Sequence, residues 1–376
     1  MPDVGTEAAA ETLTFGVEEE FLLVDPHSRA LAGTSDRVVA AAHRTMGDVV
    51  TPELNLCQIE IASGICTTTD ELYRDLRQAR DGLAHAASSV GSGVAATGTH
   101  PFSSWELQCV NRDIERYTRM EERYQVIARQ QVICGCHVHV GIDDPELAIE
   151  VMNRSLVWLP GLLALSANSP YWHGVDTGFA SYRTEVWERW PTSGMPPPVT
   201  DRAHYDALIA ELCEIDAIED ATHVYWYVRP SANYPTVEYR PCDVCLDVED
   251  TVAIAAIIRA LAWTTARDAL AGRASPCRSH PAMNAAFWRA ARYGLDGGLV
   301  DSTSRAVRPA SEVVSSLLAY VADGLDAHGD REAVHEQVDA ILRRGNGAAR
   351  QRDAKSAAGG DATAVVDFVL ARTAGR

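Results

Sequence analysis

The chain has 376 residues, of which 47% are hydrophobic and 23% charged, so it is long and apolar enough to bury a sizeable core and is not compositionally disordered. A formal net charge of −19 repels phosphate backbones and anionic lipid, which argues against nucleic acid and membrane as partners and in favour of metal cations. Its apolar runs read as shorter than the roughly 20 residues that span a bilayer, and its acidic, Ala-rich start is unlike a signal peptide, so a cytoplasmic location is expected.

Residues 1–11 read as a loose tail, and residues 12–376 as one α+β domain without an internal repeat or linker. The ordered part begins with a strand in TLTFGVEEEFLLVDP (12–26), where Glu18, Glu19 and Glu20 interrupt an apolar run. A second strand reads through LNLCQIEIAS (54–63), with Glu53 just before it. TTTDELYRDLRQARDGLAHAASSV (67–90) follows as a helix, with a Thr/Asp start and apolar residues at helical spacing. Further strands are expected in GVAATGTH, QVICGCHVHVGI, HVYWYVRPS and PTVEYRPCDV, and helices at 115–129, 145–168, 201–213, 250–272 and 283–292, with two more near the C-terminus. Residues 169–200, rich in Pro, Gly and aromatics, read as long ordered loops over a site.

Side chains alternate along a strand, so Glu18 and Glu20 share one face, roughly 7 Å apart, while Val17, Glu19 and Phe21 take the other. That separation suits neighbouring metal ions. Alternation also groups Glu60 with Gln58 and Leu56, His137 with His139, and Thr236 with Glu238 and Arg240. Cys134 and Cys136 fall opposite the histidines and are not their co-ligands. Taken singly, each feature has an ordinary explanation: a solvated acidic face, a hydrogen-bonded His-x-His, a cross-strand Glu238/Arg240 pair, structural cysteines at 242 and 245, and Trp172, Trp187, Trp190 and Trp226 as core or loop anchors. Their coincidence on strands points to a negative bowl of Glu18, Glu20, Glu60, His137 and Glu238 whose burial requires cations. Oxygen-rich donors suit Mg²⁺ or Mn²⁺, which attract polyphosphate.

Of the 33 basic residues, 32 are Arg and one is Lys355, in DAKSAAGG. That lysine suits neither a phosphate-binding loop nor a Schiff base, so phosphate here must be handled by arginines, metal ions and backbone N–H groups. Nine cysteines without a regular framework read as reduced thiols, mostly buried.

FGVEEEFLLVDP, TPELNLCQIEIASGIC, ATGTHPFSSW, CGCHVHVGI, LLALSANSPYWHGVDTGFASYR, YWYVRPSANYPTVEYRPCDV and RQR follow one another in the chain. In that order they resemble the carboxylate–amine ligases of the glutamate–cysteine ligase type 2 family, over nearly the whole sequence. The resemblance implies a glutamine synthetase-like catalytic domain, a funnel of curved, mainly antiparallel sheet with helices packed on its outer face. It implies metal-binding roles for Glu18, Glu20, Glu53, Glu60, His137 and Glu238, and a role for Arg240 at the phosphates of ATP. Arg183 is similar to an arginine that positions the acyl substrate's carboxylate and steadies the transferring phosphate, and His139 is placed at the substrate. Cys57 and Cys136 depart from the family's usual residues, on the face opposite the metals.

The implied cofactors are ATP and Mg²⁺, with Mn²⁺ as a substitute, and the implied reaction is amide formation through an acyl phosphate. L-Glutamate or a related amino acid is the expected acid, and cysteine is the default amine by resemblance. Three other readings stay open: an amide ligase of secondary metabolism with a different acid or amine, a metal-dependent hydrolase centred on His137 and His139, and a non-catalytic metabolite or metal binder. Partners are small-molecule carboxylates and amines, and a homo-oligomer such as a dimer is expected.

Overall fold

The computed structural model describes residues 12–276 and 278–375; the expected tail at 1–11 lies outside them. Its centre is a seven-stranded antiparallel sheet of β1 (Phe15–Val24), β2 (Val50–Pro52), β3 (Gln58–Ala62), β4 (Gly93–Ala95), β5 (Gly135–Gly141), β6 (Val228–Pro230) and β7 (Thr236–Asp243). The order is β6-β7-β5-β1-β3-β2, and β4 pairs with the end of β1 beyond β5. The sheet is open, and the two halves of β1 pack into different apolar clusters. Phe15 and Val17 face the large apolar core, whereas Phe21 to Val24 are buried to 0% exposure among a second apolar cluster.

Helices cover the outer face. α1 (Ser35–Met46) and α2 (Thr69–Ser89) pack together beside β1 to β4, and α2 starts with Thr68 and Glu71 capping each other's backbone N–H groups. α3 (Glu115–Tyr124) lies before β5; α4 (Pro145–Ser155), α5 (Leu159–Ser166), the short α6 (Tyr182–Trp187) and α7 (Val248–Leu270) follow it. Val138, Val140, Val237 and Tyr239 from the sheet share one core with Val151, Leu162 and Ile257 from α4, α5 and α7. The mixed α+β architecture with helices on the outer side of an antiparallel sheet is the one expected.

Several boundaries differ for physical reasons. The helix expected at 145–168 is divided by a tight turn at Leu156–Trp158, with Pro160 opening α5, where its missing N–H costs nothing. This stretch is long and apolar enough to cross a membrane, but it lies mostly buried inside the fold. The helix expected at 115–129 breaks at Gln125, whose φ is +52°. α1 was not expected; its buried contacts come from Ser35, Val38, Ala41 and Ala42, a weak apolar stripe. Five helices, rather than two, follow residue 309.

Glu19 faces outward, as alternation predicts, yet it is 0% exposed. Its Oε1 and Oε2 accept from Arg80 Nη2 at 2.5 Å and Nε at 2.8 Å, and Thr251 Oγ1 donates to it at 2.6 Å. Arg80 also donates to the carbonyls of Cys245 and Leu246, so one buried ion pair ties β1 to α2 and to the start of α7. Removing one partner leaves the other as an uncompensated buried charge. Arg80→Ala is therefore expected to lower the free energy of unfolding by about 3–5 kcal/mol, read from the midpoint of a urea titration.

Candidate active site

Strand register assembles the opposite face of the sheet. Glu20 of β1 pairs directly with Glu60 of β3, which pairs with Thr51 of β2. Glu18 pairs with His137 of β5; His139 pairs with Glu238 of β7, which pairs with Arg229 of β6. Between Tyr239 and Cys242 the register shifts, so β7 carries an extra residue opposite β5. This bulge falls at Arg240 and Pro241, where a proline costs no ladder bond, and it keeps Arg240 inside while Cys242 pairs with Cys136 on the outer side. Cys242 and Cys245 are buried free thiols, consistent with a structural role.

These residues line a cavity of about 300 Å³. Glu18, Glu20, Glu53, Glu60, His137, His139, Glu238 and Arg240 all reach it, so eight of the nine expected site residues are brought together. Arg183 is the exception: it is 1% exposed and absent from the described lining. It sits in α6, which Asp243 anchors by accepting from Ser181 Oγ, Ser169 Oγ and Asn168 N. The Arg183 guanidinium packs on the Cα of Gly135, where a Cβ would stand 2.1 Å from Nη2. Its carbon lies 5.5 Å from the Trp187 ring centre, and that of Arg240 lies 5.1 Å from the same ring. Nε and Nη2 of Arg183 are buried without a hydrogen-bond partner.

The carboxylates divide by what faces them. Burial opposes charge on Glu18, but hydrogen bonds with His137 and His139 outweigh it and hold its carboxyl below the usual range. Burial likewise opposes Glu238, yet Arg240 and Arg229 hold it well below. Arg229 Nε donates to Glu238 at 2.8 Å, and Arg240 bonds its other oxygen. Among the described residues no cation pairs with Glu60: burial first, then Glu18, Glu53 and Glu20, push it well above the ordinary value. Burial and Glu20 raise Glu53 to about 7. Glu20 accepts from the Gly135 N–H at 2.6 Å.

One donor atom each from Glu18, His137 and Glu238 lie within 4.8 Å of one another, and so do those of Glu20, Glu60 and His137. His137 therefore belongs to both groups. Its Nδ1 faces Glu18 at 3.3 Å, its Nε2 is 3.7 Å from Glu20 without a hydrogen-bond partner, and burial keeps the ring neutral, as a metal ligand requires. Clustered, buried carboxylates, with Glu60 pushed well above its ordinary value, and an orphaned imidazole nitrogen fit divalent cations that prefer oxygen. Glu53 lines the cavity but lies outside both groups.

Sequence reading missed part of the wall. Trp187 and Trp190, read as core or loop anchors, line the cavity, as do Arg116 and Tyr117 of α3 and Tyr225. Helical spacing makes α3 look like a surface helix with many charges, and no local pattern marks Arg116 as facing inward.

Residues 14–367 match the glutamate-cysteine ligase family 2. Proteins from Salinispora tropica and Rhodopirellula baltica, both provisionally named glutamate–cysteine ligase 2, are 41% and 40% identical, each match covering 96% of both chains. Among solved structures, a bifunctional glutathione synthetase from Pasteurella multocida superposes with a TM-score of 0.71 at 14% identity. That match covers 98% of this chain and 53% of the synthetase, so this chain spans about half its length. A glutamate–cysteine ligase from Francisella tularensis, in complex with AMP, gives 0.70 at 12% identity over 97% of this chain and 89% of its own. Family and fold together define a carboxylate–amine ligase, an enzyme that forms carbon–nitrogen bonds. The chain belongs to the glutamate-cysteine ligase family 2.

Gly135 joins the two halves of this arrangement, since its N–H holds Glu20 and its bare Cα seats Arg183. Gly135→Ala is expected to displace the guanidinium and cut ligase turnover on the order of a hundredfold, as small misplacements at a reacting centre do. The accompanying loss of stability, from overpacking, is expected to be about 1–3 kcal/mol. Turnover and denaturant midpoint measured on the same preparation separate the two effects.

Proposed function

We propose that residues 12–376 act as one ligase domain that activates a small carboxylic acid with ATP and passes its acyl group to an amine. The observation that carries this reading is the pair of carboxylate groups sharing His137, with the Arg240 guanidinium on the same wall. Glu18, Glu20, Glu60, His137 and Glu238, with Glu53 at the margin, would hold Mg²⁺ or Mn²⁺, which neutralise phosphate oxygens and help orient a transferring phosphoryl group. An apolar cleft of about 390 Å³ adjoins the cavity and shares Glu18, His139 and Tyr234 with it. Its walls, which include the exposed Ile65 and Tyr234, suit the flat base of a nucleotide. The AMP bound by the Francisella ligase supports an adenine nucleotide, and the names of the relatives support L-glutamate as the acid and cysteine as the default amine.

In the first step an oxygen of the acid's carboxylate bonds to the γ-phosphorus, the bond to the β–γ bridging oxygen breaks, and ADP leaves. Arg240, held rigid by Glu238 and stacked near Trp187, would bind phosphate oxygens with fixed geometry. Arg183 brings a second buried guanidinium close behind, with two donors unsatisfied, and would turn them to the reacting carboxylate or phosphoryl oxygens. In the second step the amine nitrogen attacks the acyl carbon, the carbon–oxygen bond breaks, and phosphate and a proton are released. His139, fixed through Nδ1 to Thr236, borders both the cavity and the cleft, where the two substrates would meet.

Hydroxylamine tests this without knowledge of the amine. Enzyme, Mg²⁺, ATP and L-glutamate should yield a hydroxamate with ADP and phosphate in equal amounts. AMP and pyrophosphate instead would indicate an acyl adenylate, and a hydroxamate formed without ATP would favour a hydrolase. Glu60→Gln, which replaces a carboxylate by a neutral amide, should weaken Mn²⁺ binding at least about tenfold by electron paramagnetic resonance and abolish ADP release. Unchanged Mn²⁺ affinity would remove Glu60 from the ligand set.

A further inference from the structure

The Arg183 guanidinium is not held by its own hydrogen bonds. Among the described residues Nη1 meets only the Arg240 carbonyl, at 3.5 Å, and Nε and Nη2 meet nothing. Its backbone is held instead: Arg183 N donates to Ser169 Oγ at 3.0 Å, and that hydroxyl donates to Asp243 Oδ2 at 2.7 Å. Oδ2 also accepts from Asn168 N at 2.7 Å, and Oδ1 accepts from Ser181 Oγ at 2.8 Å. Both oxygens of Asp243 are thus taken. Its charge and that of Arg183 attract each other, yet no hydrogen bond joins the two side chains among the described residues. The protein offsets this buried cation without using the donors that a ligand would need.

The same series of bonds continues into the C-terminal part of the fold. Asn168 Nδ2 donates to the carbonyls of Ala96 and Val244, and Asn168 Oδ1 accepts from Gln351 Nε2 at 2.7 Å. Gln351 is the middle residue of the RQR motif and lies in the helix Gly347–Ala357. Gln351, Asn168, Asp243 and Ser169 are all 0% exposed. Gly347 lets this helix close on Asn168, since a Cβ there would stand 2.1 Å from Asn168 Oδ1. Asn346 caps the helix by accepting from Ala349 N and ties it to the Ala164 carbonyl. The flanking arginines clamp it from outside, Arg350 on Asp247 and Arg352 on Asp176. None of the three RQR residues lines the cavity, yet Gln351 is linked to the Arg183 backbone through Asn168, Asp243 and Ser169.

We propose that Gln351, Asn168, Asp243 and Ser169 are positioning residues that set the backbone of Arg183, and that the helix Gly347–Ala357 acts on the reaction through them. This rests on the ligase reading and gives the RQR motif a role in it. Every member of the series is buried, so no water replaces a lost partner, and each bond fixes the orientation of the next. Without Gln351 the Asn168 amide is free to turn, its N–H loosens from Asp243, and the Ser169 hydroxyl loses its fixed acceptor. A planar guanidinium serves a reacting oxygen only from a set direction, so a small backbone shift at Arg183 costs turnover.

Double-mutant cycles test the coupling. Ser169→Ala and Gln351→Leu break the series at its two ends, and Arg183→Lys replaces the group that it serves. ADP release with Mg²⁺, ATP, L-glutamate and hydroxylamine is measured for each variant and for each combined with Arg183→Lys, alongside Mn²⁺ affinity by electron paramagnetic resonance and the urea midpoint. Ser169→Ala and Gln351→Leu should each lower kcat by about tenfold to a hundredfold, with Mn²⁺ affinity and the KM for ATP within about twofold of wild type. In the Arg183→Lys background each should lower kcat by less than about twofold more, because residues that act through one group are not additive. Losses that multiply in full in that background would show a role independent of Arg183, and an unchanged kcat in folded Gln351→Leu would detach the helix from the reaction; either overturns the proposal. Should Ser169→Ala fail to fold, Asp243→Asn, which keeps the size and one acceptor oxygen, takes its place in the cycle. Wild type that releases no ADP would overturn the ligase reading and this proposal with it, whereas active wild type with additive losses overturns this proposal alone.

Discussion

Five carboxylates gathered over one face of an antiparallel sheet, four on its strands and Glu53 between β2 and β3, are the constraint that the rest of the structure answers. Glu20 and Glu60 stand directly opposite in register, an arrangement that destabilises a sheet unless something compensates it. The protein compensates part of the charge itself: two arginines on Glu238, two histidines on Glu18, and backbone N–H groups on Glu20 and Glu53. Among the described residues Glu60 receives only the Thr51 hydroxyl. The remaining deficit, concentrated between Glu53, Glu60 and Glu20, is the electrostatic case for cations in this cavity.

Such a cluster persists only against a rigid wall. On the back of β1, Glu19 is bonded by Arg80 and Thr251, so adjacent residues of one strand serve opposite purposes. Glu18 and Glu20 face the cavity, where His137 and the Gly135 N–H meet them, while Glu19 is satisfied by Arg80 and Thr251 on the other side. The large core beneath β5 and β7, filled from α4, α5 and α7, removes freedom for the strands to slide, and register is what puts His137 against Glu18 and His139 against Glu238.

Cationic work falls to arginine throughout. The single Lys355 lies over the Tyr171 ring, 4.6 Å from its centre, and does not line the cavity. Arginine fits this setting because its planar fork can bond a carboxylate on one edge and still stack on an aromatic ring, as Arg240 does with Glu238 and Trp187. The same property lets Arg183 fill the slot over Gly135, a glycine whose missing side chain is explained by that guanidinium.

The sequence by itself determined which residues share a face. Period-two alternation is a local consequence of strand geometry, so Glu18 with Glu20, His137 with His139, and Glu238 with Arg240 were legible, as was the outward turn of Glu19. The family motifs added Glu53, which precedes its strand and has no alternation to place it. Tertiary structure alone decided which strands meet: 119 residues separate Glu18 from its partner His137, and nothing local sets that register. It also decided that Glu19 is buried rather than solvated, that Trp187 and Trp190 belong to the core and line the cavity as well, and that Arg116, one of several charges on a polar helix, faces the cavity. Each of these depends on what packs across from a residue, which is a property of the assembled sheet and helices and not of neighbouring positions in the chain.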